Sequence, residues 1–346
     1  MGTTLDYEYD EAGRLEFVKR GATTIESYAF DLNGNRTSWT NGYGSFTATY
    51  DAQDRLLQVQ PQAGSAITYT YTRGGELRTK TQNGQTVTTT YDVLGNLIQA
   101  QLPDGIAIEY VHDGRSRRIA KKVNGAIVKG WIYSTGSLPI AETDATGVIT
   151  TRFVYGLRRV PEYFVRDGSK YRIYTEPNGS VRFVVQATTG GIAQQINYDS
   201  YGNVSFDSNP GFQPFGYGGG LYDPQTGLVR FGARDYDPYV GRWTAKDPIG
   251  FGGGETAFYT YVGNDPVNGV DPSGLGPPLL DPGRHYTPDE LAELLSESLL
   301  PVPRSAQGVD GAVLIGYDTP RSRSWDLDPS SNGSRGCAAL VFAACS

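Results

Sequence analysis

The sequence predicts an all-β protein: a ribbon of consecutive β-hairpins, followed by a short, mostly irregular tail that contains one helix. A repeat is the first observation behind this. Marker residues fall at Tyr9, Phe30, Tyr50, Tyr71, Tyr91 and His112, in steps of 20 or 21 residues. The second is alternation of Tyr, Thr, Val and Ile with polar residues, as in Thr86-Val87-Thr88-Thr89-Thr90-Tyr91, the period-two pattern of a strand. The third is composition. Of 346 residues 45 are Gly, 24 Tyr and 1 Met, and only 38% are hydrophobic, so order must come from something other than a large aliphatic core.

Each unit reads as strand, turn, strand. Tyr7-Glu8-Tyr9-Asp10-Glu11-Ala12-Gly13-Arg14-Leu15 returns as Tyr28-Ala29-Phe30-Asp31-Leu32-Asn33-Gly34-Asn35-Arg36 and as Tyr91-Asp92-Val93-Leu94-Gly95-Asn96-Leu97. The Asp-x-x-Gly-Arg or Asp-x-x-Gly-Asn step is turn chemistry: Asp caps its own turn and Gly accepts positive φ. Asn83-Gly84 and Asn124-Gly125 are further hairpin signals. Weaker copies stand at Tyr133, Tyr155 and Tyr174, and a clean one at Tyr198-Asp199-Ser200-Tyr201-Gly202-Asn203, so the ribbon is assigned to residues 1–204. A lone hairpin buries little, so neighbouring units must pair edge to edge. His112, at a marker position, reads as a Tyr substitute.

The Tyr-x-Tyr-Asp-x-x-Gly-Arg-Leu unit, with Leu102-Pro103-Asp104-Gly105 between units, resembles the YD repeat of Rhs proteins, which bacterial polymorphic toxins, toxin-complex C subunits and teneurins also carry. The resemblance implies that the ribbon spirals into a hollow shell. About 20 strands at ~4.8 Å spacing make a ribbon of roughly 100 Å, barely one turn, so the shell is expected to be partial. Residues 205–275 carry a second signature: Tyr222-Asp223-Pro224, Ala233-Arg234-Asp235-Tyr236-Asp237-Pro238, Asp247-Pro248-Ile249-Gly250 and Asp271-Pro272-Ser273-Gly274-Leu275. This run looks like the Rhs-associated core domain. That family's core is similar to an intramolecular aspartyl protease that frees the C-terminal segment. Carried over residue by residue, the resemblance implies Asp235 and Asp247 as catalytic carboxylates, Arg234 beside the first of them, and a cut between Leu275 and Gly276. Two close carboxylates share a proton, so one can deprotonate water while the other polarises the carbonyl, and neither metal nor cofactor is needed. On the residues alone, Asp247 could equally be a turn, as Asp-Pro pairs often are. A hairpin at Asp237–Gly241 would set Asp235 opposite residue 243 or 244. Asp265 and Asp271 read as turns that present the cleavage strand.

The tail, residues 276–346, opens with a Pro-rich linker and then one amphipathic helix, capped by Thr287-Pro288-Asp289-Glu290 and stopped by Pro301. In the resemblance this is the place of a toxin or effector, the shell's own cargo. Its five Arg and no Lys face nine acidic residues, and the whole chain carries −7, which argues against a nucleic-acid partner. His285 stands alone, and Cys337 and Cys345 suit neither a zinc knuckle nor a redox pair. The sequence shows neither a membrane-spanning run nor a signal peptide, so secretion or surface delivery would depend on a secretion system or toxin-complex partner, with an immunity protein as a further expected partner. A non-catalytic alternative is a surface protein whose exposed Tyr stack on glycans or a neighbouring cell.

Overall fold

Twenty strands, from β1 (Asp6–Tyr9) to β20 (Val204–Asp207), form one antiparallel sheet in which each strand pairs with the next in sequence. This is the ribbon the repeat predicts. The computed structural model describes residues 4–134, 136–250 and 257–276. The expected helix after Thr287, His285, Cys337 and Cys345 lie outside the described residues, as does all of segment 276–346 beyond Gly276.

The turns follow the predicted chemistry. Asp31 Oδ1 accepts the N–H groups of Asn33 and Asn35 at 2.9 and 2.8 Å, and Asp51, Asp92, Asp113 and Asp199 repeat the pattern. The Gly-Arg or Gly-Asn choice has a shared reason. Arg14, Arg55 and Arg117 fold back onto the second oxygen of the turn Asp, while Asn35, Asn96 and Asn203 do so with Nδ2. Asn83 and Asn124 take positive φ (52° and 51°) together with the glycines that follow them, as two-residue hairpin turns require.

Coiling, which the spacing leaves open, has a visible local source. At most marker aromatics the cross-strand register slips by a residue, for example between Glu8 and Tyr9, Thr49 and Tyr50, Thr70 and Tyr71, and Ile132 and Tyr133. A bulge bends its strand and adds twist, so one per unit accumulates into curvature. The result brings the last turn back to the start. Asn41 Nδ2 donates to Asp199 at 2.8 Å, Tyr43 Oη to the Val204 carbonyl at 2.6 Å, and Tyr201 lies 4.8 Å from Tyr28, centroid to centroid.

The second block makes a smaller four-stranded antiparallel sheet: β21 (Leu221–Asp223), β22 (Leu228–Phe231), β23 (Arg234–Asp237) and β24 (Arg242–Trp243). Its core is aromatic. Phe231, Tyr236, Trp243 and Tyr261 are buried, with Tyr236 and Tyr261 rings 4.4 Å apart. This sheet sits on the repeat turns. Asn264 donates to the Gly34 carbonyl, Arg242 to Asn35 and the Asp54 carbonyl, Tyr259 to the Gly75 carbonyl, and Arg230 to Asn96 and the Ser116 carbonyl. Five successive turns, about 20 residues apart, are thus held by one block. No helix among the described residues is long and apolar enough to cross a membrane.

Candidate active site

Strand β23 carries two of the expected residues on opposite faces, because successive strand side chains alternate. As the sequence predicted, Asp235 faces residue 244: the Thr244 N–H donates to the Asp235 carbonyl at 2.9 Å. Its side chain points to the ribbon. Arg118, on β12 (Arg118–Val123), and Arg230 each reach one carboxylate oxygen at 2.8 Å, and all three side chains are at most 2% exposed. Burial alone would raise the Asp235 carboxyl, but the two guanidiniums overcome it and hold it below the usual carboxylate range. His112, which ends β11 (Ala107–His112), lies within electrostatic reach, and neither of its buried ring nitrogens has a hydrogen-bond partner. Burial, reinforced by Arg230 and Arg118, pushes it down to about 4.

Arg234 points the other way and gathers a different group. Its guanidinium lies 4.1 Å over the Trp243 ring and pairs with Asp247 at 2.9 Å and Asp271 at 3.2 Å. Nε donates to the Gly274 carbonyl and Nη1 to the Phe258 carbonyl. Asp271 cradles the segment that follows it. Oδ1 accepts Ser273 Oγ and the Gly274 N–H, each at 2.9 Å, and Oδ2 accepts the Gly276 N–H at 2.8 Å. That last N–H belongs to the Leu275–Gly276 peptide. Asp247 forms a turn, as one reading of its sequence allowed, with Oδ1 accepting the Ile249 N–H at 2.9 Å. Burial raises its carboxyl above the ordinary value, and Arg234 and the Ile249 N–H offset this only in part.

The structure therefore brings Arg234, Asp247, Leu275 and Gly276 to one place, joined by Asp271. No hydrogen bond or ion pair links Asp235 to Asp247 among the described residues, and their environments differ. Asp271 was visible in the sequence as a turn former but not as the second carboxylate on Arg234. A faint signal was its position four residues ahead of Leu275, the reach of the same Asp turn seen in the repeats. Nothing in the sequence singled out Arg118 and Arg230. Two glycines make the close approach possible. A Cβ on Gly232 would lie 2.1 Å from the Ser273 carbonyl oxygen, and one on Gly274 2.4 Å from that of Phe231. Both have positive φ (41° and 66°). A cavity of about 10 Å³, roughly the room one water takes, is lined by Arg234, Trp243, Asp247, Asp271 and Gly276 among others. Among the described residues no cluster of His, Cys, Asp and Glu suits a metal ion.

Residues 2–267 match the Teneurin YD-shell family. The chain belongs to that family. Within the YD-shell proteins it is 39% identical to teneurin-3 of Danio rerio over 104 residues, 30% of this chain and 4% of that protein. Over 169 residues it is 31% identical to the tRNA(Glu)-specific nuclease WapA of Bacillus subtilis subsp. natto, 47% of this chain and 7% of that one. Among solved structures, the crystal structure of TcdB2-TccC3 aligns with a TM-score of 0.44 and 19% identity, covering 78% of this chain and 18% of that chain. This YD shell thus spans under a tenth of the length of these two relatives.

Proposed function

We propose that this YD-shell chain cuts itself once, between Leu275 and Gly276, by carboxylate-assisted hydrolysis. The observation that carries the reading is the convergence on one peptide bond. Arg234 holds the Gly274 carbonyl on one side, Asp271 holds the Gly276 N–H on the other, and Asp247 shares their guanidinium beside a cavity with room for about one water.

In this mechanism Asp247 is the base. Its carboxyl is raised by burial, which makes it a better proton acceptor than an ordinary carboxylate. It takes a proton from the cavity water, whose oxygen bonds to the Leu275 carbonyl carbon. The proton passes to the Gly276 nitrogen as the C–N bond breaks. Arg234 supplies positive charge near the developing oxyanion. Asp271 has both oxygens engaged by donors, so it positions rather than abstracts. Asp235, expected as a partner of Asp247, enters this scheme as the residue that anchors β23 to Arg118 and Arg230 and so aims Arg234.

The released piece would be the tail that begins at Gly276, held as cargo, and the chain would be secreted or delivered to a cell surface. The Bacillus relative is named for its action on tRNA, yet the acidic balance of this tail does not favour a phosphate target. Intact mass of freshly purified protein tests the proposal. A cut at Leu275 divides 37.5 kDa into pieces of about 30 and 8 kDa. The cut should vanish in Asp247→Asn and persist, more slowly or in less protein, in any Asp235→Asn that folds. Pieces ending at Asp271 would show acid-labile Asp-Pro scission instead, and an uncut parent would overturn the proposal.

A further inference from the structure

Before any cut, two carboxylates converge on Arg234, and among the described residues it is the cation that ion-pairs with both. Arg159 acts on Asp271 electrostatically at longer range, and Tyr261 faces it from the aromatic core. Asp271 also raises Asp247, so the site holds more negative charge than its cation balances. Its nearest uncharged donor is the Gly276 N–H, 2.8 Å from Oδ2.

Hydrolysis changes that donor. Water adds across the bond, Leu275 becomes a carboxylate, and the Gly276 nitrogen, having gained protons, becomes an α-ammonium group. We infer that Asp271 is a built binding site for the α-ammonium group of Gly276, so that the cut itself creates the ion pair that retains the new N-terminus. The same oxygen that orients the amide N–H before the cut accepts a charged N⁺–H afterwards, at a separation already right for it. The arriving cation also lets Arg234 turn wholly to Asp247. Gly276 itself lines the one-water cavity, so the new N-terminus would form at its wall.

This inference rests on the cleavage reading, and the test separates the two. The full chain is purified after cutting and treated with labelled acetic anhydride over a range of pH, and acylation of the Gly276 α-amine is followed by mass spectrometry. The same material unfolded in guanidinium gives the reference, so no variant is required. An unpaired α-amine titrates at about 7.7–8.0. Pairing with Asp271 should move the folded profile upward by about one pH unit, slowing acylation about four- to fivefold near pH 8 and about tenfold below about pH 7 relative to the unfolded reference. Burial without an ion pair would slow acylation by shielding and leave the profile in place or move it downward, and would overturn the inference. A free amine with an ordinary profile would overturn it too, while leaving the cut established. An uncut chain, with no Gly276 amine, would overturn both. Asp271→Asn, if it still cuts, should return the profile to the reference.

Discussion

His112 offers a stability prediction whose size follows from its surroundings. In three other units the marker Tyr donates its hydroxyl to a carbonyl one hairpin back: Tyr50 to Arg36, Tyr133 to Arg118 and Tyr155 to Pro139, at 2.7–2.8 Å. His112 fills the same place with both nitrogens buried and unpartnered, beside two guanidiniums. Its pKa falls from 6.5 to about 4, so between those values the unfolded chain binds a proton that the folded chain refuses. Stability is then lost as pH falls from about 6.5 toward 4. Linkage puts the loss between pH 7.5 and 4.5 at about 2.5 kcal/mol. Asp199 works against it. Burial and Glu26 raise its carboxyl to about 6, so protonation favours the fold on the acid side of the same window. The difference between parent and His112→Tyr cancels that term. Urea unfolding of both, in an Asp247→Asn background so that each is one chain, should give His112→Tyr a small advantage at pH 7.5, about 1 kcal/mol for the restored hydrogen bond. The advantage should widen by about 2.5 kcal/mol at pH 4.5. Two curves that stay parallel would refute the reasoning.

Other outcomes follow from the same contacts. Asp235→Asn leaves two buried guanidiniums facing a neutral amide, and urea melts should show a loss of about 3–5 kcal/mol; a loss under about 1 kcal/mol would remove the anchoring role given to Asp235. Gly232→Ala drives a methyl into the Ser273 carbonyl, and a shift of about 1 Å in the held segment should slow the cut about a hundredfold. Gly114→Ala, with open space around it, should cut at the parental rate, as a time course of intact mass would reveal. Because burial raises the Asp247 carboxyl and the scheme needs it ionised, cleavage should climb with pH through a midpoint above about 3.9 and then level off; a rate that declines across that range would reassign Asp247 as an acid. Tyr259→Phe removes a 2.6 Å hydrogen bond to the Gly75 carbonyl and should cost about 1–3 kcal/mol by leaving that carbonyl unpaired.

The ribbon was legible because its information is local. A 20-residue step, an Asp that caps its own turn and an Asn-Gly pair each specify backbone within a few residues, and the strands followed. The bulge at most marker aromatics was not legible, since one extra residue on one strand leaves no trace in composition, and it is the bulge that bends the sheet. The site divides the same way. The pairing of Asp235 with residue 244 came from a hairpin, and Arg230 is likewise its cross-strand neighbour, 5 residues away, whereas Arg118 reaches it from 117 residues away. The approach of Asp271 to Arg234 likewise depends on two glycines that let backbones touch. Contacts of that kind are set by tertiary geometry, to which a periodic sequence is blind.

The five turns gripped by Asn264, Arg242, Tyr259 and Arg230 act as teeth against a gauge of fixed length. An extra unit inserted ahead of Tyr28 would leave every tooth engaged and would disturb only contacts of the first unit, such as that of Asn268 with Tyr9. The same unit inserted between Asn35 and Ser116 would push later turns one notch out of step with the donors that meet them, and Asp235 would lose Arg118. Growth of the wall and integrity of the four-stranded block are therefore separable at one end of the chain and locked together at the other.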